Sequence, residues 1–166
     1  DEIVHAATPE GTVCECANDN ADGQVVISGH VDAVKAVMAA ASEKGAKRAI
    51  QLPVSAPFHC RLMAPAANEM AKALSNTLMH RPLLPIVANV TAQAETDPGR
   101  LRQLLVDQST GRVRWRESMQ WLANQGITEL VELGAGKVLS GLAKRCDDRL
   151  TASSVSSADD VRAMIE

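Results

Sequence analysis

The sequence predicts an α/β protein built in two parts, and three observations lead to that prediction. The first third of the 166 residues reads as strand, strand, helix, strand. The remainder alternates single strands with helices, an order typical of a parallel sheet covered by helices. The chain has one Phe, two Trp and no Tyr among 46% hydrophobic residues. We therefore expect a core of Ala, Val, Leu, Ile and Met.

The first part, 1–54, begins in the end of a helix, "DEIVHAAT". Strands are predicted at 13–18 and 24–29, joined by a turn that contains Asp-Gly. A helix follows over 30–45, because apolar residues recur there at helical spacing. A third strand is predicted over 47–54. This order is that of a ferredoxin-like split βαβ unit that lacks its first strand.

The second part, 55–166, is predicted to hold the parallel sheet, and the Pro-containing segment 53–57 is the predicted boundary between the parts. Its near-continuous apolar run "LPIVANV" is typical of a buried parallel strand. The predicted strands are 84–90, 127–134 and 150–155. The predicted helices follow residue 59 and then cover 98–108, 115–125, 137–146 and the final "ADDVRAMIE".

Composition and charge exclude several classes of protein. The net charge of −3 and the scarcity of aromatic residues argue against a nucleic-acid partner. No apolar run reaches the ~18 residues of a membrane span, and no secretory signal opens the chain. Cys14 and Cys16 are spaced too closely for a zinc knuckle, and no second pair answers them. We expect buried thiols, a cytoplasmic setting, no metal and no cofactor. The opening lacks an initiator Met, which indicates a fragment or a processed piece.

His59 is the strongest candidate for chemistry in the sequence. It lies in "QLPVSAPFHCRLM", where Pro57 ends a predicted strand just before a helix begins. Active sites of open α/β folds gather at such strand ends. An imidazole held there can serve as a general base near neutral pH. The alternative is a purely structural histidine, which is the commoner role of a lone His.

Two other patterns are weaker. "ELGAGKVLSGL" fails the phosphate-loop pattern at Val131 and Val138, and the dinucleotide pattern at Leu139. A glycine turn before a helix N-terminus remains, which can attract an anion or simply serve packing. His5, His30 and His80 have no partners at metal-ligand spacing and are predicted at the surface.

Lys44, Lys47 and Arg48 form a small basic cluster next to the strand that leads to His59. The cluster has two interpretations. It is either a solvated helix end or a docking contact for a phosphate or an acidic partner protein.

Five blocks of sequence carry a resemblance to a known family. They are "NADGQVVISGHVDAVKAV", "GAKRAIQLPVSAPFHCRLMAPA", "LPIVANVTA", "RWRESMQWL" and "ELVELGAGKVLSGLAKR", in this order. Together they resemble the C-terminal half of the malonyl-CoA:acyl carrier protein transacylases of bacterial fatty acid synthesis, over roughly residues 10 to 155.

The resemblance implies a large α/β-hydrolase-like subdomain, present here in part, and an inserted small ferredoxin-like subdomain. It implies ping-pong transfer of malonyl from coenzyme A, which is a substrate and not a cofactor, to the phosphopantetheine thiol of acyl carrier protein. His59 would deprotonate a serine and then each incoming thiol. The main-chain carbonyl of Gln108 would orient His59, in the place where a classical triad uses a carboxylate.

Three further residues enter through the resemblance. Phe58 matches a residue that narrows the acyl pocket of malonyl-selective relatives. Asn18 and Asn89 lie at strand ends in matching blocks, where they either line the cleft or cap turns. The serine elbow, the arginine for the malonyl carboxylate and the oxyanion-hole residues have no counterparts here, so we expect the fragment alone to be inactive.

Three functions stay open at this stage. The first is the discrete malonyl transferase, expected to be a monomer when complete. The second is the acyltransferase domain of a polyketide or multifunctional synthase. The third is a carrier-protein-binding module without catalysis, which would use Lys44, Lys47 and Arg48.

Overall fold

The computed structural model describes residues 1–165 and shows a mixed α/β fold. The helices are α1 (Glu2–Ala7), α2 (Val31–Glu43), α3 (Ala64–Ser75), α4 (Pro98–Gln108), α5 (Trp115–Asn124), α6 (Val138–Cys146) and α7 (Ala158–Ile165). The strands are β1 (Cys14–Ala21), β2 (Gln24–Gly29), β3 (Ile86–Ala88), β4 (Gln93–Glu95), β5 (Glu129–Leu133) and β6 (Thr151–Val155). A short 3₁₀ helix, Arg61–Met63, leads into α3. Residue 166, the last of the predicted terminal helix, lies outside the described range.

β1 and β2 form the predicted antiparallel hairpin. Gly23 makes the tight turn with φ of +71°, a conformation that glycine adopts without steric cost. α1 and α2 pack against the hairpin, and Cys14, Ala33 and Val37 are buried between them. The first 45 residues therefore have the order that the sequence predicts.

The prediction of a strand over 47–54 is wrong, because this segment forms no ladder. Its apolar residues alternate with Gln51 and Pro53 in the sequence, yet Ile50, Leu52 and Val54 are each about half exposed. Within the segment the backbone makes one hydrogen bond, from Val54 N–H to the Leu52 carbonyl. A strand requires a neighbouring strand for its backbone groups, and none lies beside this segment in the described range.

The prediction of a buried parallel strand over 84–90 is also wrong. Only Ile86–Ala88 is a strand, and it pairs antiparallel with β4. Ala92, with φ of +54°, lies in the tight connection between the two strands. Leu83 and Leu84 are exposed rather than buried. The apolar run correctly indicated a strand. It could not show that the partner strand, β4, lies in the polar segment that follows.

β5 and β6 form a parallel pair connected through α6, as the sequence predicts. Glu132 on β5 accepts hydrogen bonds from the N–H groups of Leu139 and Ser140 and from the Ser140 hydroxyl. These bonds hold the pKa of Glu132 below its usual value, the Ser140 hydroxyl making the largest contribution. The helix N-terminus that the sequence marked as a possible anion site therefore binds the protein's own carboxylate.

One core cluster joins β1 to the later helices. Its buried members are Ala21, Met119, Ala123, Leu142, Ala143, Cys146 and Leu150. Next to it, Arg116 of α5 donates three hydrogen bonds to the buried carboxylate of Asp19. The backbone of β1 also exchanges hydrogen bonds with Val113. The hairpin is thus tied to residues that follow the predicted boundary, and the division into 1–54 and 55–166 stays a prediction.

Candidate active site

His59 lies in a tight turn just before the 3₁₀ helix and has φ of +59°, in the left-handed region. Non-glycine residues enter that region at a cost of about 1–2 kcal/mol, so the surrounding contacts must hold the turn. Cys60 is completely buried, and its thiol donates a hydrogen bond to the carbonyl oxygen of Pro57, with Sγ 3.2 Å from that oxygen. The local chain therefore fixes the direction in which the imidazole leaves the backbone.

The imidazole Nδ1 of His59 lies 2.9 Å from the main-chain oxygen of Gln108. A carbonyl oxygen only accepts hydrogen bonds, so Nδ1 carries the hydrogen and is the donor of this hydrogen bond. In the neutral ring Nε2 is then the acceptor, and it has no hydrogen-bond partner within residues 1–165. The structure thus places the ring in the tautomer that a general base requires.

The Gln108 carbonyl is available because Gln108 is the last residue of α4. The final carbonyls of a helix have no partner inside it, so they can accept hydrogen bonds from elsewhere. Asp97 caps the start of α4 by accepting from the N–H of Arg100. Beyond its end, a Cβ at Gly111 would lie 2.8 Å from Val90 Cγ1 and 2.9 Å from the Asp107 carbonyl. Only glycine lets the chain pass this closely.

The side chain of Asn89 forms a hydrogen bond with the side chain of the same glutamine. Its Nδ2 donates to Gln108 Oε1 at 3.0 Å. Its own carbonyl accepts from the N–H of Arg114. The Arg114 guanidinium in turn pairs with Glu117, and this hydrogen-bonded pairing lowers the pKa of the Glu117 carboxyl. Asn89 therefore contacts the residue that holds His59.

A cleft of about 380 Å³ opens beside His59. Its lining includes Glu15, Cys16, Arg61, Thr110 and Arg112. Glu15 on β1 accepts from both the backbone N–H and the Nε of Arg61, so it joins the hairpin to the turn that carries His59. Sequence reasoning missed this ion pair, since the two residues lie 46 positions apart.

The other predicted site residues are placed as follows. Phe58 is about half exposed beside His59. Asn18 lies on β1 opposite Val26, and neither it nor Phe58 lines the cleft. Lys44, Lys47 and Arg48 are all exposed just after α2, and none forms an ion pair in the described part of the chain. Of the remaining histidines, His30 accepts a hydrogen bond from the Val13 N–H.

Burial limits the reactivity of three of the four cysteines. All four are free, and Cys14, Cys60 and Cys146 are buried. Burial, with a smaller contribution from neighbouring Cys16, Cys60 and Glu15, raises the pKa of Cys14 to about 11. It is therefore protonated near neutral pH and is not a nucleophile there.

Residues 1–165 contain no cluster of three metal-ligating side chains. None of the described helices combines the length and apolarity needed to span a bilayer.

Three proteins that are similar to this chain are all malonyl transacylases or malonyltransferases. The chain is 47% identical over 146 residues to the malonyl CoA-acyl carrier protein transacylase of Salmonella typhimurium, covering 88% of this chain and 47% of the relative. It matches the structure of acyl-carrier-protein-S-malonyltransferase from Bartonella henselae with a TM-score of 0.93 and 49% identity, covering 99% of this chain and 52% of that one. It also matches a malonyl-transacylase solved in complex with a type II PKS acyl-carrier protein, with a TM-score of 0.93, 37% identity and coverage of 99% and 53%. No protein-family model matches the sequence.

The mixed α/β fold, together with these relatives, defines the chain as an acyltransferase homologue. The chain is homologous to malonyl CoA-acyl carrier protein transacylases at 34–47% identity. It spans about half the length of the curated relatives that it matches.

Proposed function

We propose that this chain supplies the general base of a malonyl-CoA:acyl carrier protein transacylase of fatty acid biosynthesis. The observation that carries the proposal is the 2.9 Å contact between His59 Nδ1 and the Gln108 carbonyl, in a chain homologous to such enzymes. The sequence contains no Gly-x-Ser-x-Gly, so the nucleophilic serine comes from polypeptide outside residues 1–166. In this proposal the enzyme acts in the cytoplasm, as a monomer and without a cofactor.

The first half of the reaction loads the serine. His59 Nε2 takes the serine Oγ proton while Oγ attacks the thioester carbonyl of malonyl-CoA. The bond from Oγ to the acyl carbon forms, and the bond from carbon to the coenzyme A sulfur breaks. The imidazolium then returns its proton to the departing thiolate, so the ring is neutral again.

The second half unloads the serine. The phosphopantetheine thiol of the carrier protein gives its proton to His59, and its sulfur attacks the malonyl ester. The new carbon–sulfur bond forms as the serine oxygen leaves and receives the proton back. Throughout, Gln108 holds Nδ1 with a neutral carbonyl. A helix C-terminus, which favours nearby cations, faces the imidazolium without placing a full negative charge beside the anionic malonyl group.

A chimera tests the proposal. The 146 residues that match in the Salmonella typhimurium relative are replaced by the corresponding residues of this chain, and malonyl transfer from malonyl-CoA to acyl carrier protein is followed by mass spectrometry. We expect the chimera to transfer malonyl. His59→Asn should lower the rate by a factor on the order of 10²–10⁴. His80→Asn, at an exposed position, is the matched control and should leave the rate unchanged.

The experiment tests the proposed activity and the proposed role of His59 separately. A folded chimera that transfers no malonyl contradicts the proposed activity. Transfer that survives His59→Asn contradicts the role of the base and leaves the activity standing.

Phe58 is proposed to favour malonyl over α-branched acyl groups, because its ring would crowd an added methyl. We expect Phe58→Ala in the chimera to improve the relative use of methylmalonyl-CoA by roughly 10-fold or more, equivalent to about 1–3 kcal/mol of discrimination. An unchanged preference contradicts this role. Asn18 is proposed as a second substrate contact, although its side chain lies outside the cleft lining.

Docking of the carrier protein is supported by the relative that was solved with an acyl-carrier protein. Lys44, Lys47 and Arg48 form an exposed basic cluster that suits an acidic partner. Lys47→Glu with Arg48→Glu should weaken carrier-protein binding by the chimera and make it less sensitive to salt. Lys35→Glu, on the exposed side of α2, is the control. Unchanged binding contradicts docking at this cluster.

Carrier binding by the 166-residue chain itself would favour the alternative of a binding module without catalysis. A titration with carrier protein decides this. If the isolated chain does not bind, the binding-module alternative is wrong.

A further inference from the structure

We propose that Asn89 is a positioning residue: its amide holds the side chain of Gln108, and through that residue it fixes the main-chain carbonyl that orients His59. The inference rests on the proposed role of His59 as base. It assigns Asn89 a function different from contact with substrate.

Gln108 uses two different oxygens for two different partners. Its main-chain oxygen lies 2.9 Å from His59 Nδ1, and its Oε1 lies 3.0 Å from Asn89 Nδ2. Because Gln108 ends α4, the helix no longer restrains its carbonyl through a hydrogen bond. The side-chain bond to Asn89 supplies a restraint that the helix cannot, and it acts on the same residue.

Asn89 can provide that restraint because its own position is fixed. Its carbonyl accepts from the Arg114 N–H at 3.0 Å. The Arg114 Nη1 donates to the next two carbonyls, those of Val90 and Thr91, at 3.3 and 3.1 Å. Glu117 accepts from the rest of the same guanidinium, through Nε at 2.9 Å. One arginine therefore holds three consecutive residues of the loop that carries Asn89.

The path is short and each step is a hydrogen bond. Glu117 holds Arg114, Arg114 holds the loop, Asn89 holds Gln108, and Gln108 holds the imidazole. Groups held by such a network need little reorganisation when a proton moves, which is how supporting residues contribute to catalysis.

The test measures the tautomer of His59 directly, by long-range ¹H–¹⁵N NMR of the 166-residue chain labelled at histidine nitrogens. At alkaline pH, where the ring is neutral, we expect the parent chain to show predominantly the Nδ1–H form. Asn89→Ala should shift the ring to predominantly the Nε2–H form, which is the preferred tautomer of an unrestrained imidazole. A merely structural role would change the stability of the chain but leave the tautomer of the folded molecules unchanged.

Four further variants test whether the effect runs through the bond between Asn89 and Gln108. Gln108→Ala removes the same bond and keeps the main-chain carbonyl, so it should shift the tautomer as Asn89→Ala does, and the double variant should shift it no further. Asn89→Asp should restore the Nδ1–H form, since Gln108 can turn its amide and donate to the carboxylate. Asn68→Ala, on the exposed face of α3, should change nothing.

The inference is overturned if Asn89→Ala retains the Nδ1–H form, or if Gln108→Ala does. Should Asn89→Ala fail to fold by circular dichroism, Gln108→Ala decides alone. The measurement requires no malonyl transfer. An inactive chimera would therefore contradict the proposed function without contradicting the role of Asn89.

Discussion

Two regions of the molecule differ in how completely the chain covers their apolar side chains. In the first, β1, α5 and α6 share a cluster of buried side chains, β1 and α5 are joined by an ion pair, and β1 exchanges main-chain hydrogen bonds with Val113. In the second, the apolar residues of a segment that precedes His59 and of β5 are open to solvent: Ile50, Leu52 and Val54 are half exposed, and Leu133 is 78% exposed. The cluster on β1 is therefore complete within the described residues, whereas these strand-like segments are not covered by them.

The largest effect should come from matched leucines in the two regions. Leu150 is fully buried in the cluster that joins β1 to α5 and α6, so Leu150→Ala should lower the free energy of unfolding by about 2–5 kcal/mol. Leu133→Ala, in the exposed region, should change it by less than about 0.5 kcal/mol. Urea unfolding of both variants gives the comparison. Equal losses would show that β5 is covered in solution and would remove the contrast.

The ion pair between β1 and α5 should have the next largest effect. Asp19 is 9% exposed, and Arg116 donates to both of its carboxylate oxygens. Asp19→Asn should cost about 1–3 kcal/mol of unfolding free energy, less than for a fully buried pair because the arginine remains partly solvated. Asp22→Asn, at an exposed turn position, is the control. No difference between the two in urea unfolding would contradict a stabilising role for the pair.

Glu132 makes a smaller contribution that depends on pH. Its pKa in the folded chain lies below the ordinary value of 4.5, so it adds stability above that value and loses it as pH falls through the folded pKa. Glu132→Gln should therefore reduce the acid sensitivity of the urea midpoint. Glu129→Gln, on the same strand, should retain it. The same acid sensitivity in all three proteins would contradict the capping role.

The smallest perturbation is chemical labelling of thiols. Cys16 is partly exposed at the cleft, whereas Cys14 is buried with a pKa of about 11. A thiol reagent at neutral pH should modify Cys16 first, and Cys16→Ser should abolish that fast phase. Fast modification of Cys14 would show that the packing between the hairpin and α2 opens readily.

Sequence predicted the local features of the fold better than the distant ones. The positions of α4 and α5 agree with the prediction within a residue, since periodicity and a Pro or Asp near the helix start are local signals. The strand over 47–54 failed because pairing depends on residues elsewhere. The contact between His59 and Gln108 spans 49 positions and was expected only from the resemblance. Asn89 was placed in the site region, but its bond to Gln108 has no signature in the sequence.

The left-handed backbone of His59 also determines how an inactive form should be made. Asparagine tolerates that conformation better than most residues, whereas a β-branched side chain would strain the turn. Asparagine can further donate its amide toward the Gln108 oxygen. Replacement by asparagine thus deletes the proton acceptor while preserving the loop around it, which makes His59→Asn a better trap for acylated intermediates than a valine or isoleucine variant.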